Sequence, residues 1–318
     1  MGRIVYLNGE YVPEEQAKVS IFDRGFLMAD AVYEVTAVLD GNLVDFDGHA
    51  TRLARSLREL HMSSPCDTAT LLAIHKKLVQ LNELVEGTVY LQITRGDPGD
   101  RSFDWPDAAR TPPTMVLFTQ RASLVDPPAA RRGIRVVTVE DLRWRRRDIK
   151  TVQLLPPSLC KNKAYAAGVD DAWMVEEGKI TEGTSSNAWL VANGELVTRQ
   201  LSESILHGIT RAAVLRLARD EGLRVVERAF TVAEAQAARE AFVTSASSFV
   251  KPVVEIDGVA IGDGTPGPIS SRLRQLYVAE ARRAAAAAAP RAVASGVAGA
   301  GGAATAVAAG VGDVRSRL

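Results

Sequence analysis

Short apolar stretches separated by glycine-containing turns open the chain. Ile4 to Leu7 and Glu10 to Val12 flank Asn8-Gly9, a dipeptide whose turn matches the twist of paired strands, so this segment predicts a hairpin. Ala31 to Leu39, Asp40-Gly41 and Asn42 to Val44 repeat the arrangement. The period then changes. His49 to Leu60 places Leu53, Leu57 and Leu60 on one face of a helix, and Asp67 to Leu81 predicts a second helix. Gly87 to Arg95 and Met115 to Gln120 read as strands, and Arg121 to Arg132, with Pro127-Pro128, reads as a linker.

Beyond it, strands are expected at Gly133 to Val139, Ala172 to Val175, Ala188 to Val191, Arg224 to Ala229, Phe242 to Ser245 and Val250 to Ile256. Helices are expected at Pro156 to Ala167, Thr210 to Glu221, Val232 to Ala237 and Pro266 to Ala289. Mixed short strands and helices predict an α+β protein with two domains. A small N-terminal α/β domain spans 1–120, a linker 121–132, and a larger, barrel-like α/β domain 133–289. Residues 290–318 are Ala, Gly and Val with little charge and no periodicity, a composition that predicts a disordered tail.

Composition narrows the function. Thirty-eight basic and thirty-eight acidic residues cancel, so no global field draws the chain to nucleic acid or to a membrane surface. The run Arg143, Arg145, Arg146 and Arg147 is read as one solvated face with an internal partner. Cys66 and Cys160 lack paired spacing, and four histidines accompany them, which argues against a metal site or a disulfide framework. No stretch approaches a charge-free spanning length, so a cytoplasmic protein acting on small molecules is expected.

Lys150 closes the stretch Arg147-Asp148-Ile149-Lys150 and stands among Ile149, Val152, Leu154 and Leu155. Apolar surroundings disfavour an ammonium, which makes a lysine a usable amine nucleophile toward an aldehyde. The bland alternative, a surface lysine after a strand, suits Lys161 and Lys163 better. Glu182, in Thr181-Glu182-Gly183-Thr184-Ser185-Ser186-Asn187, is read as a carboxylate presented from a tight turn. Such a group either caps the turn or keeps a ring nitrogen protonated, as a pyridoxal phosphate electron sink requires. In Leu206-His207-Gly208-Ile209-Thr210-Arg211 a glycine precedes a helix start. Thr210 there is either a plain N-cap or, with Ile209, a donor to a phosphate.

These stretches, with Glu140-Asp141-Leu142-Arg143-Trp144 and Leu154-Leu155-Pro156, resemble the class IV aminotransferases, of fold type IV, and most nearly their D-amino-acid branch. The resemblance runs from about Val5 to about Leu276. It implies pyridoxal 5'-phosphate as cofactor, Lys150 as Schiff-base lysine and proton shuttle, and Glu182 at the pyridine nitrogen. It implies Arg52, Leu206, Ile209, Thr210 and Ser245 as further cofactor contacts, with Arg52 on the polar face of its helix. Ala246 stands where the branch usually carries threonine. For the substrate it implies Arg101 as carboxylate anchor, with Tyr33 and Tyr90 beside it; Phe103 replaces the usual histidine, and the loop is one residue longer. A homodimer is implied, in which the Arg101 loop reaches the neighbouring subunit's site.

The expected reaction is ping-pong transfer of an amino group from a D-amino acid to a 2-oxo acid. The alternatives within the fold are a branched-chain L-aminotransferase, an (R)-amine transaminase and an aminodeoxychorismate-lyase-like enzyme. The last usually carries Lys-x-Leu-Asn-Arg, where Thr151-Val152-Gln153 follows the lysine here.

Overall fold

The structure, a computed structural model, describes residues 2–288, so the tail expected at 290–318 lies outside the described residues. The chain opens with β1 (Ile4–Leu7) and β2 (Glu10–Pro13), joined at Asn8 and Gly9, which both take positive φ as this hairpin turn demands. A short helix α1 (Arg24–Met28) leads into β3 (Ala31–Leu39) and β4 (Asn42–Leu43). Helices α2 (Phe46–Glu59) and α3 (Thr68–Leu81) follow, then β5 (Gly87–Thr94) and β6 (Met115–Arg121). The strands form one sheet in the order β2-β1-β6-β5-β3-β4. Leu53 and Leu57 of α2 and Leu71 and Leu78 of α3 pack on Val89, Leu91 and Leu117 of its strands. Asp67 caps α3, its carboxylate accepting from the Thr70 N–H at 2.7 Å.

After α4 (Pro128–Arg132) come β7 (Ile134–Glu140), α5 (Leu155–Ala166), β8 (Asp171–Glu176), β9 (Lys179–Gly183), β10 (Asn187–Ala192) and β11 (Glu195–Thr198). Then follow α6 (Ile209–Asp220), β12 (Arg224–Glu227), α7 (Val232–Gln236), β13 (Glu240–Ser245), β14 (Phe249–Ile256), β15 (Val259–Ala260) and α8 (Pro268–Ala288). The second sheet runs β12-β11-β10-β13-β14-β7-β8-β9, with β15 on β14. Although β9 is the edge strand, a tight turn carries it straight into β10, Gly183 N–H donating to Ser186 O at 2.8 Å. Four strands separate the two in the pairing order, so the sheet has to curl into a half-barrel.

Ala37 and Leu39 of β3 belong to the same apolar cluster as Trp189, Phe242, Phe249 and Tyr277, so the two sheets share part of their core. The segment read as a linker includes α4, and Leu124 within it is buried. Arg274 of α8 donates to the Leu124 and Val125 carbonyls, and Glu86 accepts from their N–H groups.

Several elements differ from expectation. Helix α2 begins at Phe46, because Asp45 takes a left-handed conformation that turns the chain early. Strands β9 and β11 were not expected: each is short and closes a tight hairpin, β9 with β8 across Glu177-Gly178 and β11 with β10 across Asn193-Gly194, and β11 gains a second ladder from β12. Glu182 therefore sits in a strand and not in the turn that follows it.

Candidate active site

Lys150 is held by its own backbone against the start of β3. Tyr33 N–H donates to Lys150 O at 3.0 Å, Val152 N–H donates to Ala31 O at 3.1 Å, and Thr151 bridges Val32. Ile149 is buried in the first core, so its side chain anchors one flank. On the other, buried Asp148 bonds Arg146 at 3.0 Å and pairs with Arg55, whose Nη1 also reaches the Asp148 carbonyl at 2.9 Å. The Lys150 amine is left facing a cleft, with Nζ 4.0 Å from the centroid of the Tyr33 ring.

Across the same cleft lies Glu182, almost fully buried. Its carboxylate accepts from Arg143 Nη1 at 2.5 Å, from Asn187 Nδ2 at 2.8 Å and from the Leu206 N–H at 3.2 Å. Burial pushes its pKa up; Arg143 and the Leu206 N–H pull the other way without cancelling the rise. Arg143 is fixed in turn by Asp141, at 2.9 and 2.7 Å, and Asp141 accepts from Thr181 Oγ1 at 2.7 Å. The arginine run is thus solvated only in part, at the exposed Arg145 and the half-buried Arg146. Arg143 and Arg147 are drawn inward by Asp141, two residues before Arg143, and by Glu182 and Glu176, which the fold brings near. Arg143 and Asn187 were missed as functional residues; the signal was Asp141 and Arg143 two apart, which an extended chain puts on one side.

The other end of the cleft is built for an anion. Arg52 is buried, not on a polar face, because Glu34 of β3 takes its guanidinium with two bonds, 2.8 and 2.7 Å long. His49 Nδ1 lies 2.8 Å from the same carboxylate. Burial would raise the Glu34 pKa, but Arg52 and His49 hold it well below the ordinary carboxylate range. Arg52 Nη1 also donates to His207 O, tying α2 to the entrance of α6. There Gly208 is the N-cap residue and no side chain caps the helix. The first helical bond is Ala212 N–H to Gly208 O, so the preceding N–H groups have no partner within the helix. Thr210 Oγ1 is buried and without a hydrogen-bond partner. A Cβ on Gly208 would lie 2.0 Å from Asn187 Oδ1.

Of the residues singled out from sequence, Tyr33, Arg52, Lys150, Glu182, Leu206, Ile209, Thr210 and Ser245 line this one cleft. Ala246 lines it as well. Leu206 serves Glu182 through its backbone. Tyr90 stands behind Tyr33, ring centroids 5.7 Å apart, with its hydroxyl donating to Gln92 at 2.8 Å and its pKa pushed up to about 12 by burial. Arg101 is exposed and outside this cleft, its guanidinium 4.9 Å from the Phe103 ring centroid.

The family described as Amino-transferase class IV matches residues 31–256, a span that includes both Lys150 and Glu182. The chain belongs to the class IV aminotransferases. It is similar to the D-alanine aminotransferase of Staphylococcus aureus (strain N315), 36% identical over 273 residues, which are 85% of this chain and 95% of that protein. The D-alanine aminotransferase of Listeria monocytogenes serotype 4b (strain F2365) is 36% identical over 278 residues, 87% of this chain and 95% of that one. Among solved structures, the PLP-form of the branched-chain amino acid aminotransferase from Thermobaculum terrenum superposes with a TM-score of 0.75 at 25% identity, covering 88% of this chain and 94% of that one. As a class IV aminotransferase this chain is a pyridoxal-phosphate-dependent enzyme acting on amino and oxo acids. The cleft fits that cofactor: an unpartnered buried hydroxyl and an uncapped helix start lie at one end, a buried carboxylate at the other.

Proposed function

We propose that this enzyme transfers the amino group of a D-amino acid to a 2-oxo acid by a ping-pong mechanism, in the cleft between Lys150 and Glu182. The observation that carries the D-amino-acid reading is the likeness to D-alanine aminotransferases at 36% identity over 95% of their length. Arg52, Ile209, Thr210 and Ser245 would hold the cofactor phosphate, and Glu182 would meet its ring nitrogen.

Pyridoxal phosphate, when bound, supplies an aldehyde carbon that exchanges amino groups and a ring that takes up the electron pair left at Cα. Lys150 Nζ would be the base, taking the Cα proton of the donor and handing a proton back as transfer completes. Glu182, ionised, keeps the ring nitrogen protonated, and its bonds to Arg143, Asn187 and Leu206 hold the carboxylate in place for that task. Arg101 would take the substrate carboxylate in a bidentate fork. It would do so in the neighbouring subunit of a homodimer, which suits its exposure outside its own cleft. Among the described residues no helix is long and apolar enough to cross a membrane, and we place the enzyme in the cytoplasm.

A branched-chain L-aminotransferase is the second reading, favoured by the solved structures of that activity that this chain superposes on. The test is the visible spectrum of the purified holoenzyme with D-alanine, L-leucine or (R)-1-phenylethylamine added separately. Bleaching of the cofactor band by D-alanine alone is expected. Bleaching by L-leucine alone would overturn the D-amino-acid reading and remove Arg101 from the site.

A further inference from the structure

Residues 95–114, between β5 and β6, form a long segment without helix or strand, and it carries Arg101. A loop of this length inside a compact fold calls for something to hold it. Two buried arginines do. Arg24, the first residue of α1, donates its Nη1 to Ser102 O at 2.6 Å and to Asp104 O at 3.2 Å, and its backbone N–H to Gly96 O at 3.0 Å. Arg95 donates to Leu60 O at 2.9 Å, and its guanidinium lies 4.6 Å from the centroid of Trp105. One carboxylate, Asp30, joins the pair: it bonds Arg24 at 2.8 Å and Arg95 at 2.7 and 3.1 Å. Arg101 itself makes no ion pair among the described residues. Its backbone is fixed from the next peptide onward, while its guanidinium stays open.

We propose that Arg24, Asp30 and Arg95 are positioning residues for substrate recognition, pinning the loop through the Gly96, Ser102 and Asp104 carbonyls and the Trp105 ring so that Arg101 is presented as a preorganised carboxylate fork. The inference rests on the reading of Arg101 as the carboxylate anchor. Its physical basis is that a guanidinium on a floating loop must lose its freedom when it binds, whereas one on a bonded loop has lost most of it already. Arg24 does not line the Lys150 cleft, so it acts on recognition and not on the proton transfer.

Arg24→Lys tests this in the holoenzyme. Lysine retains the charge beside Asp30 but lacks the planar fork whose Nη1 reaches the Ser102 and Asp104 carbonyls while its Nε bonds Asp30. With D-alanine as donor, KM should rise about tenfold while kcat changes by less than about twofold and cofactor affinity stays constant. Tryptic cleavage after Arg101, followed by mass spectrometry on apoenzyme and holoenzyme, should accelerate by about tenfold through the freed backbone. Asp30→Asn releases both arginines and should act in the same direction. Arg101→Ala sets the ceiling: KM rises, and adding Arg24→Lys to it brings no further rise, because the loop then has nothing to present. If Arg101→Ala raises KM and Arg24→Lys does not, the positioning role is overturned while the anchor reading stands. If Arg101→Ala leaves KM unchanged, the anchor reading fails and takes the inference with it. Parallel loss of kcat, KM and cofactor affinity in Arg24→Lys would reduce these residues to a structural role and also overturn the proposal.

Discussion

Arg143 and Glu182 meet at 2.5 Å on the inner side of the curled sheet, and Asp141 grips the far side of the same guanidinium. The arginine therefore does two things: it offsets the cost of burying Glu182, and it prevents that carboxylate from turning away from the cleft.

Replacing Arg143 by methionine should remove both effects. A buried carboxylate stripped of its partner costs about 3–5 kcal/mol, and Asp141 is left short of a partner too. Thermal unfolding should show a stability loss of that order. The kcat pH profile carries the sharper signal: Glu182, already raised by burial, would ionise at still higher pH, so the acidic limb should move to higher pH. An unchanged limb would mean that turnover does not depend on the ionised carboxylate.

Thr210→Val tests the hydroxyl as a phosphate ligand, the N-cap expected of it being taken by Gly208. The Thr210 hydroxyl is buried without a partner, so an isosteric apolar side chain should leave the apoenzyme as stable or more stable. Cofactor affinity should fall by roughly 1.5–3 kcal/mol, the contribution of a hydrogen bond to a charged group. Equilibrium dialysis and apoenzyme melting, measured together, give the two signs. A less stable apoenzyme with unchanged affinity would overturn the phosphate reading.

Gly208→Ala should fail for a steric reason. Its φ of −65° suits any residue, but the new Cβ would press on Asn187 Oδ1, and Asn187 holds Glu182. Overpacking of this kind costs about 1–3 kcal/mol. The expected outcome is a lower melting temperature together with weaker cofactor binding, and Asn187→Ala in the same background should recover part of the melting temperature.

His75 sets an acid limit on stability. Burial between α2 and the first sheet pushes its pKa down to about 4 from 6.5. The unfolded chain takes up the proton first, so stability is full above about pH 6.5 and is lost as pH falls toward about 4, by about 3 kcal/mol in all. Glu34, depressed from 4.5, begins to add its loss at the acid end of that window and continues below it, and Glu182, raised, acts with the opposite sign. A His75→Leu variant should therefore lose less stability than the parent between pH 6.5 and 4 in denaturant titrations, with the two curves parallel above it.

Much of the chain's local architecture was legible without the fold. Asn8-Gly9 and Asp40-Gly41 specify tight hairpin turns by their backbone preferences alone, and the leucine spacing of α2 and α3 marks their buried faces. The motifs around Lys150 and Glu182 were enough in combination to name the family and, through that resemblance, the cofactor. What sequence could not carry were relationships between distant segments. Arg52 is buried because Glu34 waits on another element, and Arg143 turns inward to Glu182 because the sheet curls. A charged side chain is solvated unless a partner meets it, and whether one does is decided by contacts between residues far apart in the chain. The amino-acid order by itself determined which groups are available for chemistry; only the tertiary structure decided which of them are desolvated, paired and aimed at one cleft.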